Sequence, residues 1–167
     1  HRSVSYEGTC DKLSATLIPH GYKWSVRDRL GKPIVFAKGQ AHPEVIAKRF
    51  DLAYPELAGH FSRVITHGTQ YAQSLIDDFS VKGKAPHLAI SVDMLDTGID
   101  VPDVVNLVFF KVIRSKSKLW QMIGRGIRLR RELFGQGQHK SNFDVFVFCQ
   151  YLGLFALDPA GNRGAVP

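Results

Sequence analysis

The sequence predicts an α/β domain, a mainly parallel sheet with helices on both faces. Three observations lead there. From Lys32 onward, short apolar runs alternate with amphipathic segments of helical period. Those runs are apolar throughout rather than at every second position, as strands covered on both faces are. The chain has 167 residues, 44% hydrophobic and 22% charged, enough for one full domain and its core.

The elements follow in order. Residues 33–37 (PIVFA) read as a buried strand, with Lys38-Gly39-Gln40 leaving its carboxyl end. Residues 43–50 read as a helix, and Pro43 suits a first turn, where a missing N–H costs nothing. Residues 63–66 are a second strand, broken by His67-Gly68. Residues 70–79 form a helix with Tyr71, Leu75, Ile76 and Phe79 on one side. Residues 87–92 and 104–110 are the third and fourth strands, residues 117–129 a helix, and residues 143–148 the last strand. Residues 1–31 show no clear period and read as a connector or an extension from a preceding domain. Residues 32–152 form the domain. Residues 153–167, rich in Gly, Pro and Ala toward the end, read as a frayed end or the start of a further region. There is no internal repeat.

Composition narrows the functional classes. No run of about eighteen apolar residues occurs, so no transmembrane helix and no membrane partner is expected. The first residues lack the apolar core of a signal peptide. Cys10 and Cys149 stand alone without CxxC spacing, which points to neither a zinc site nor a disulfide framework, and no metal ligand set is expected. A reducing cytoplasm is the expected compartment. The net charge of +7 is concentrated in one place: residues 111–140 hold nine Lys/Arg against one acid, Glu132. Such a field draws in a phosphate backbone or a nucleotide, although a solvated surface carries similar charge.

That basic segment contains Gln121-Met122-Ile123-Gly124-Arg125-Gly126-Ile127-Arg128. At ~100° per residue, Gln121, Arg125 and Arg128 share an arc about 60° wide. Leu119, Trp120, Met122, Ile123 and Ile127 fill the opposite side, which packs the helix on a core. Two guanidinium forks beside an amide suit a polyphosphate; an ordinary basic helix face has the same composition.

Upstream, residues 91–102 carry Asp93, Asp96 and Asp100 around a Thr97-Gly98 turn. Leu95-Asp96-Thr97-Gly98 matches the signature of aspartic proteases, whose two carboxylates share a proton. Those proteases are all-β, however, and this turn leaves a buried strand in an alternating chain. A simple turn, with Gly98 supplying backbone freedom, also fits.

Taken together, an Asp-bearing Gly turn, one more strand and a helix with Gln-x-x-Gly-Arg-x-x-Arg resemble the second RecA-like domain of superfamily-2 helicases. Residues 91–102 resemble motif V, residues 121–128 motif VI, and residues 34–39 motif IV; His67-Gly68 stands where many members have a short His-Gly turn. The ordered match covers about residues 32–148. The run from Asp96 through Leu129, with the aromatic strand at 143–148, is similar in particular to the motor (R) subunits of type I restriction enzymes. The fold implied is a three-layer RecA-like domain.

The resemblance implies a site shared between two domains. ATP with Mg²⁺ lies in the cleft, with the metal and phosphate loop held mainly by the first RecA-like domain. Arg125 and Arg128 are implied as arginine fingers, with Gln121 assisting near the phosphates. Gly98, Asp100 and Gly124 are implied at the nucleotide, Asp100 near the ribose. Lys38, Gly39, Thr66, His67, Ser91 and Val92 are implied along the nucleic-acid track, where contacts touch phosphates without reading bases. Implied partners are double-stranded DNA, the first RecA-like domain, and specificity and methyltransferase subunits.

Two departures qualify the match. Many members have Thr or Ser where this chain has Val92, which weakens that contact. No G-x-x-x-x-G-K-[ST] occurs, since Gly31-Lys32 is followed by Pro33 and Gly83-Lys84 by Ala85. The chain is therefore expected to be part of a longer protein, holding half an ATPase site and inactive alone. The rival reading is a non-catalytic nucleic-acid-binding module.

Overall fold

Because each apolar run is too hydrophobic to leave either face wet, the runs assemble into one sheet that is covered on both sides. The structure, a computed structural model, describes residues 11–13, 15–17, 23–24, 29–39, 41–81, 83–92, 104–111, 113, 115–127 and 144–148. A short antiparallel pair, β1 (Lys23–Trp24) and β2 (Arg29–Leu30), comes first. Then come β3 (Lys32–Phe36), β4 (Ser62–Val64), β5 (Leu88–Ser91), β6 (Val104–Phe109) and β7 (Asp144–Val147). These five form one sheet in the order β4-β5-β3-β6-β7, every neighbouring pair parallel. Helix α1 (His42–Ala53) connects β3 to β4, α2 (Ala72–Ser80) connects β4 to β5, and α3 (Lys116–Ile127) connects β6 to β7.

Chain direction decides which face each helix covers. Right-handed crossovers that travel in opposite directions along a parallel sheet lie on opposite faces. The α2 and α3 connections run one way and the α1 connection the other. Accordingly Ile34, Phe36, Leu107 and Phe109 pack with Ile76 and Phe79 of α2 and with Leu119, Met122 and Ile123 of α3. On the other face, Val35, Ala37, Leu88, Ile90 and Val108 pack with Ile46 and Phe50 of α1. Each such side chain contributes about 1.5–3 kcal/mol on burial, so the two layers together dominate stability. Among the described residues, no helix is long and apolar enough to cross a membrane.

The expected elements after Lys32 all form, and the differences have physical causes. The second helix was expected from residue 70 with Tyr71 on its apolar side. Instead Tyr71 precedes the helix at φ 59°, a left-handed conformation, and is 74% exposed. The turn at residues 66–69 uses the backbone that a longer helix would need. Trp120 was expected on the packed side of α3 but is 58% exposed. Met122, Leu119 and Ile123 span an arc of about 100°, and Trp120 falls about 60° beyond it. Residues 11–13 and 15–17, within the stretch expected as a connector or extension, are helical, and Leu13 and Leu17 are fully buried in the α1-side core. That part of the first 31 residues belongs to the domain's core. The all-β aspartic-protease alternative is incompatible with a parallel sheet between helices.

The entry to the central strand is held by two buried polar groups. Asn106 Nδ2 donates to the Gly31 carbonyl at 2.9 Å, beside a register shift at Lys32/Pro33 where proline cannot donate to the ladder. Lys32 is fully buried, and its Nζ donates to the carbonyls of Phe79 (2.5 Å), Val81 (2.8 Å), Lys84 (3.0 Å) and Pro86 (3.4 Å). It also lies 4.9 Å from the Phe79 ring centroid. An ammonium has three N–H groups, so the longest of the four contacts is a shared one. These carbonyls sit at and beyond the end of α2, where the helix dipole favours a cation. The lysine that fails to belong to a phosphate loop is therefore a cap on α2 and a tie to β3.

Candidate functional site

In an open parallel sheet, ligands bind outside the carboxyl ends of the strands. Here the ends of β4, β5, β3 and β6 stand side by side, about 4.8 Å apart. Main-chain bonds continue the ladder one residue past each strand: Ile65 N to Ile90 O (2.8 Å), Ala37 N to Ser91 O (2.7 Å) and Phe110 N to Phe36 O (2.9 Å). The predicted nucleic-acid residues thus gather along this rim: Lys38, Gly39, Thr66 and His67 on the loops after β3 and β4, Ser91 as the last residue of β5, and Val92 just after it.

Each loop is shaped locally. After β3, Lys38 and Gly39 are exposed, with Gly39 at φ +71°, a conformation that L side chains rarely adopt. The Lys38 N–H donates to His42 Nδ1 at 3.1 Å, so a side chain from the first turn of α1 holds the loop. His42 is 7% exposed, edge-on to Phe110 at 5.3 Å, and Phe110 stacks on Phe148. Burial, and secondarily the nearby positive charge of Lys38, hold the His42 pKa below its ordinary value, which keeps it a neutral acceptor.

After β4, Thr69 Oγ1 accepts from Thr66 N (2.9 Å) and lies 3.2 Å from Thr66 Oγ1, while Thr69 N donates to Thr66 O (3.0 Å). This closed turn presents an exposed His67. At the end of β5, Ser91 is fully buried and Val92 is 8% exposed, so neither side chain is presented to solvent, and their carbonyls accept from Ala37 N and Lys111 Nζ.

Helix α3 starts beyond the same rim. Gln121 is exposed and Gly124 half-buried, with open space where a side chain on Gly124 would lie. Gly98, Asp100 and Arg128 lie outside the described residues, as does the side chain of Arg125. Among the described residues, no group of three His, Cys, Asp or Glu is placed to hold a metal ion.

Sequence reading missed Lys111. Its Nζ donates to the Val92 carbonyl and lies 5.8 Å from the Phe36 ring centroid. The available signal was a charge immediately after a run that is apolar but for Asn106, residues 104–110. Sequence reading also missed a cleft of about 730 Å³ beside the edge strand β4, lined by Glu44, Lys48, Asp51, Ser62 and Arg63 among others. None of the predicted site residues lines it, and its mixed charges do not single out an anion.

With this geometry in hand, comparison with known proteins is specific. A family model described as "Helicase conserved C-terminal domain" matches residues 26–130. The chain is 30% identical over 145 residues to the type I restriction enzyme EcoKI endonuclease subunit of Escherichia coli K12. That match covers 82% of this chain but 11% of the relative. Among solved structures, a fragment of a putative HsdR subunit of a type I restriction enzyme from Vibrio vulnificus YJ016 superposes with TM-score 0.74 at 23% identity, covering 94% of this chain and 30% of that one. The Saccharomyces cerevisiae Dbp5 C-terminal domain gives TM-score 0.58 at 20% identity, covering 87% and 72%. At these identities the structural likenesses speak for the RecA-like fold alone.

Proposed function

The chain belongs to the helicase conserved C-terminal domain family, and from that membership we propose that it is the second motor domain of an ATP-dependent DNA translocase, the motor subunit of a type I restriction enzyme. The observation that carries the reading is the rim. The ends of β4, β5 and β3 lie side by side, with exposed Lys38, Gly39 and His67 on the loops after β3 and β4, and β6 leads on to the helix bearing an exposed Gln121.

In this reading Arg125 and Arg128 stabilise charge on the γ-phosphate as it transfers, and Gln121 hydrogen-bonds near the phosphates. Gly98, Gly124 and Asp100 form the nucleotide side of the wall. Of these residues the structure describes Gln121, which is exposed, and Gly124, beside which there is open space, and both leave room for a nucleotide. The phosphate loop and the Mg²⁺-binding acid come from the first RecA-like domain, so this chain alone hydrolyses no ATP. Lys38, Gly39, Thr66 and His67 contact the backbone of double-stranded DNA, with Ser91 and Val92 contributing main chain. Specificity and methyltransferase subunits complete a cytoplasmic assembly. The similarity to the E. coli endonuclease subunit, over a basic segment, supports DNA as the track.

The test uses the full-length protein. Arg125→Ala or Arg128→Ala is expected to lower DNA-stimulated ATP hydrolysis by about 10³-fold or more, the range for arginine fingers, with DNA affinity largely kept. Normal ATPase in both variants refutes the motor reading. Additive loss of DNA binding instead, with normal ATPase, establishes the non-catalytic binding module.

A further inference from the structure

We infer that Lys111 is a positioning residue that fastens the start of the 91–102 segment across the end of the central strand. Strand order makes the contact informative. Lys111 follows β6 and Val92 follows β5, and β3 lies between them. The Lys111 side chain must therefore cross the carboxyl end of β3, a span of about two strand spacings. It does so over the Phe36 ring, the last side chain of β3, and ends on the Val92 carbonyl. One ammonium thus joins the ends of three adjacent strands.

The chemistry suits a lysine. Its stem is apolar and can lie on the aromatic face, and the charged end finds a ring quadrupole and a carbonyl in a half-buried place. The tie is placed where it can act on the site. Val92 is the last described residue before the sequence Asp96-Thr97-Gly98, and Ala37 N already binds Ser91 O next to the Lys38-Gly39 loop. Releasing Lys111 frees the first residue of the segment that carries Gly98 and Asp100, while β5 and β6 remain paired to β3.

The activity arm of the test rests on the motor-domain reading; the exchange arm does not. In the full-length protein, Lys111→Met keeps the stem and removes the charge, and Lys111→Arg keeps a donor cation. Hydrogen exchange of the amides at residues 93–101 is expected to speed up about tenfold or more in Lys111→Met, with α1 amides unchanged and Lys111→Arg near wild type. In steady-state ATPase, Lys111→Met is expected to raise KM for ATP about tenfold while kcat changes less than about threefold, since Lys111 touches no reacting atom.

Unchanged exchange at 93–101, equal acceleration in α1, or an Arg variant as impaired as the Met variant overturns the inference. If Lys111→Met does not melt cooperatively, Lys111→Gln replaces it under the same criteria. An Arg128→Ala control separates the two ideas. Full ATPase there and in Arg125→Ala refutes the motor reading, and the exchange result still decides Lys111.

Discussion

Lys32 and Lys111 flank the same sheet and solve the same problem, a cation among apolar strands, in opposite ways. Lys32 is wholly enclosed and donates to main-chain carbonyls at and beyond the end of α2. Lys111 is half-buried at the rim, where its partners include the Val92 carbonyl and the Phe36 ring. The enclosed lysine is a stability element. Lys32→Met leaves buried carbonyls without a donor and is expected to cost about 2 kcal/mol or more, read as a lower midpoint in urea unfolding. Neither role was visible beforehand. The Lys32 acceptors lie 47 to 54 residues away in sequence and are main-chain atoms, which leave no residue-type signature.

At the scale of elements, α1 illustrates how a loop is set. Its N-cap, Ala41, offers no side-chain cap, and His42 Nδ1 instead accepts the Lys38 N–H. Burial lowers the His42 pKa in the fold, so between that value and the ordinary 6.5 the unfolded chain binds the extra proton. The His42 contribution is therefore complete above pH 6.5 and is lost as pH falls below it. Thermal melts from pH 8 to 5 are expected to show this loss, and His42→Gln to flatten that part of the profile. The strands were legible because short, dominantly apolar runs such as residues 33–37 have few other uses. The helix face was legible where its stripe is narrow, at Leu119, Met122 and Ile123. The start of α2 was not, because the hydroxyl turn at Thr66 and Thr69 displaced Tyr71 from the helix. Residues 11–17 were missed because two leucines four apart are too brief a period to stand out.

At the scale of the molecule, the excess charge lies on one side of the sequence, in residues 111–140. If that segment meets about five phosphates, the logarithm of DNA affinity should fall against the logarithm of salt with a slope of about −4.5. Fluorescence anisotropy of a labelled duplex over a salt series checks this, and a flat response would remove the electrostatic track. The proposed nucleotide half of the site rests on an ordered series of short motifs alone, because Gly98, Asp100 and Arg128 lie outside the described residues. The Lys32 tie has a consequence for how such domains diverge. Val81 and Lys84 accept through their carbonyls, so their side chains can be exchanged without removing the acceptors that join the end of α2 to the central strand. Lys32 would then persist in descendants while its partners drift, and a search for co-varying pairs would pass over the contact.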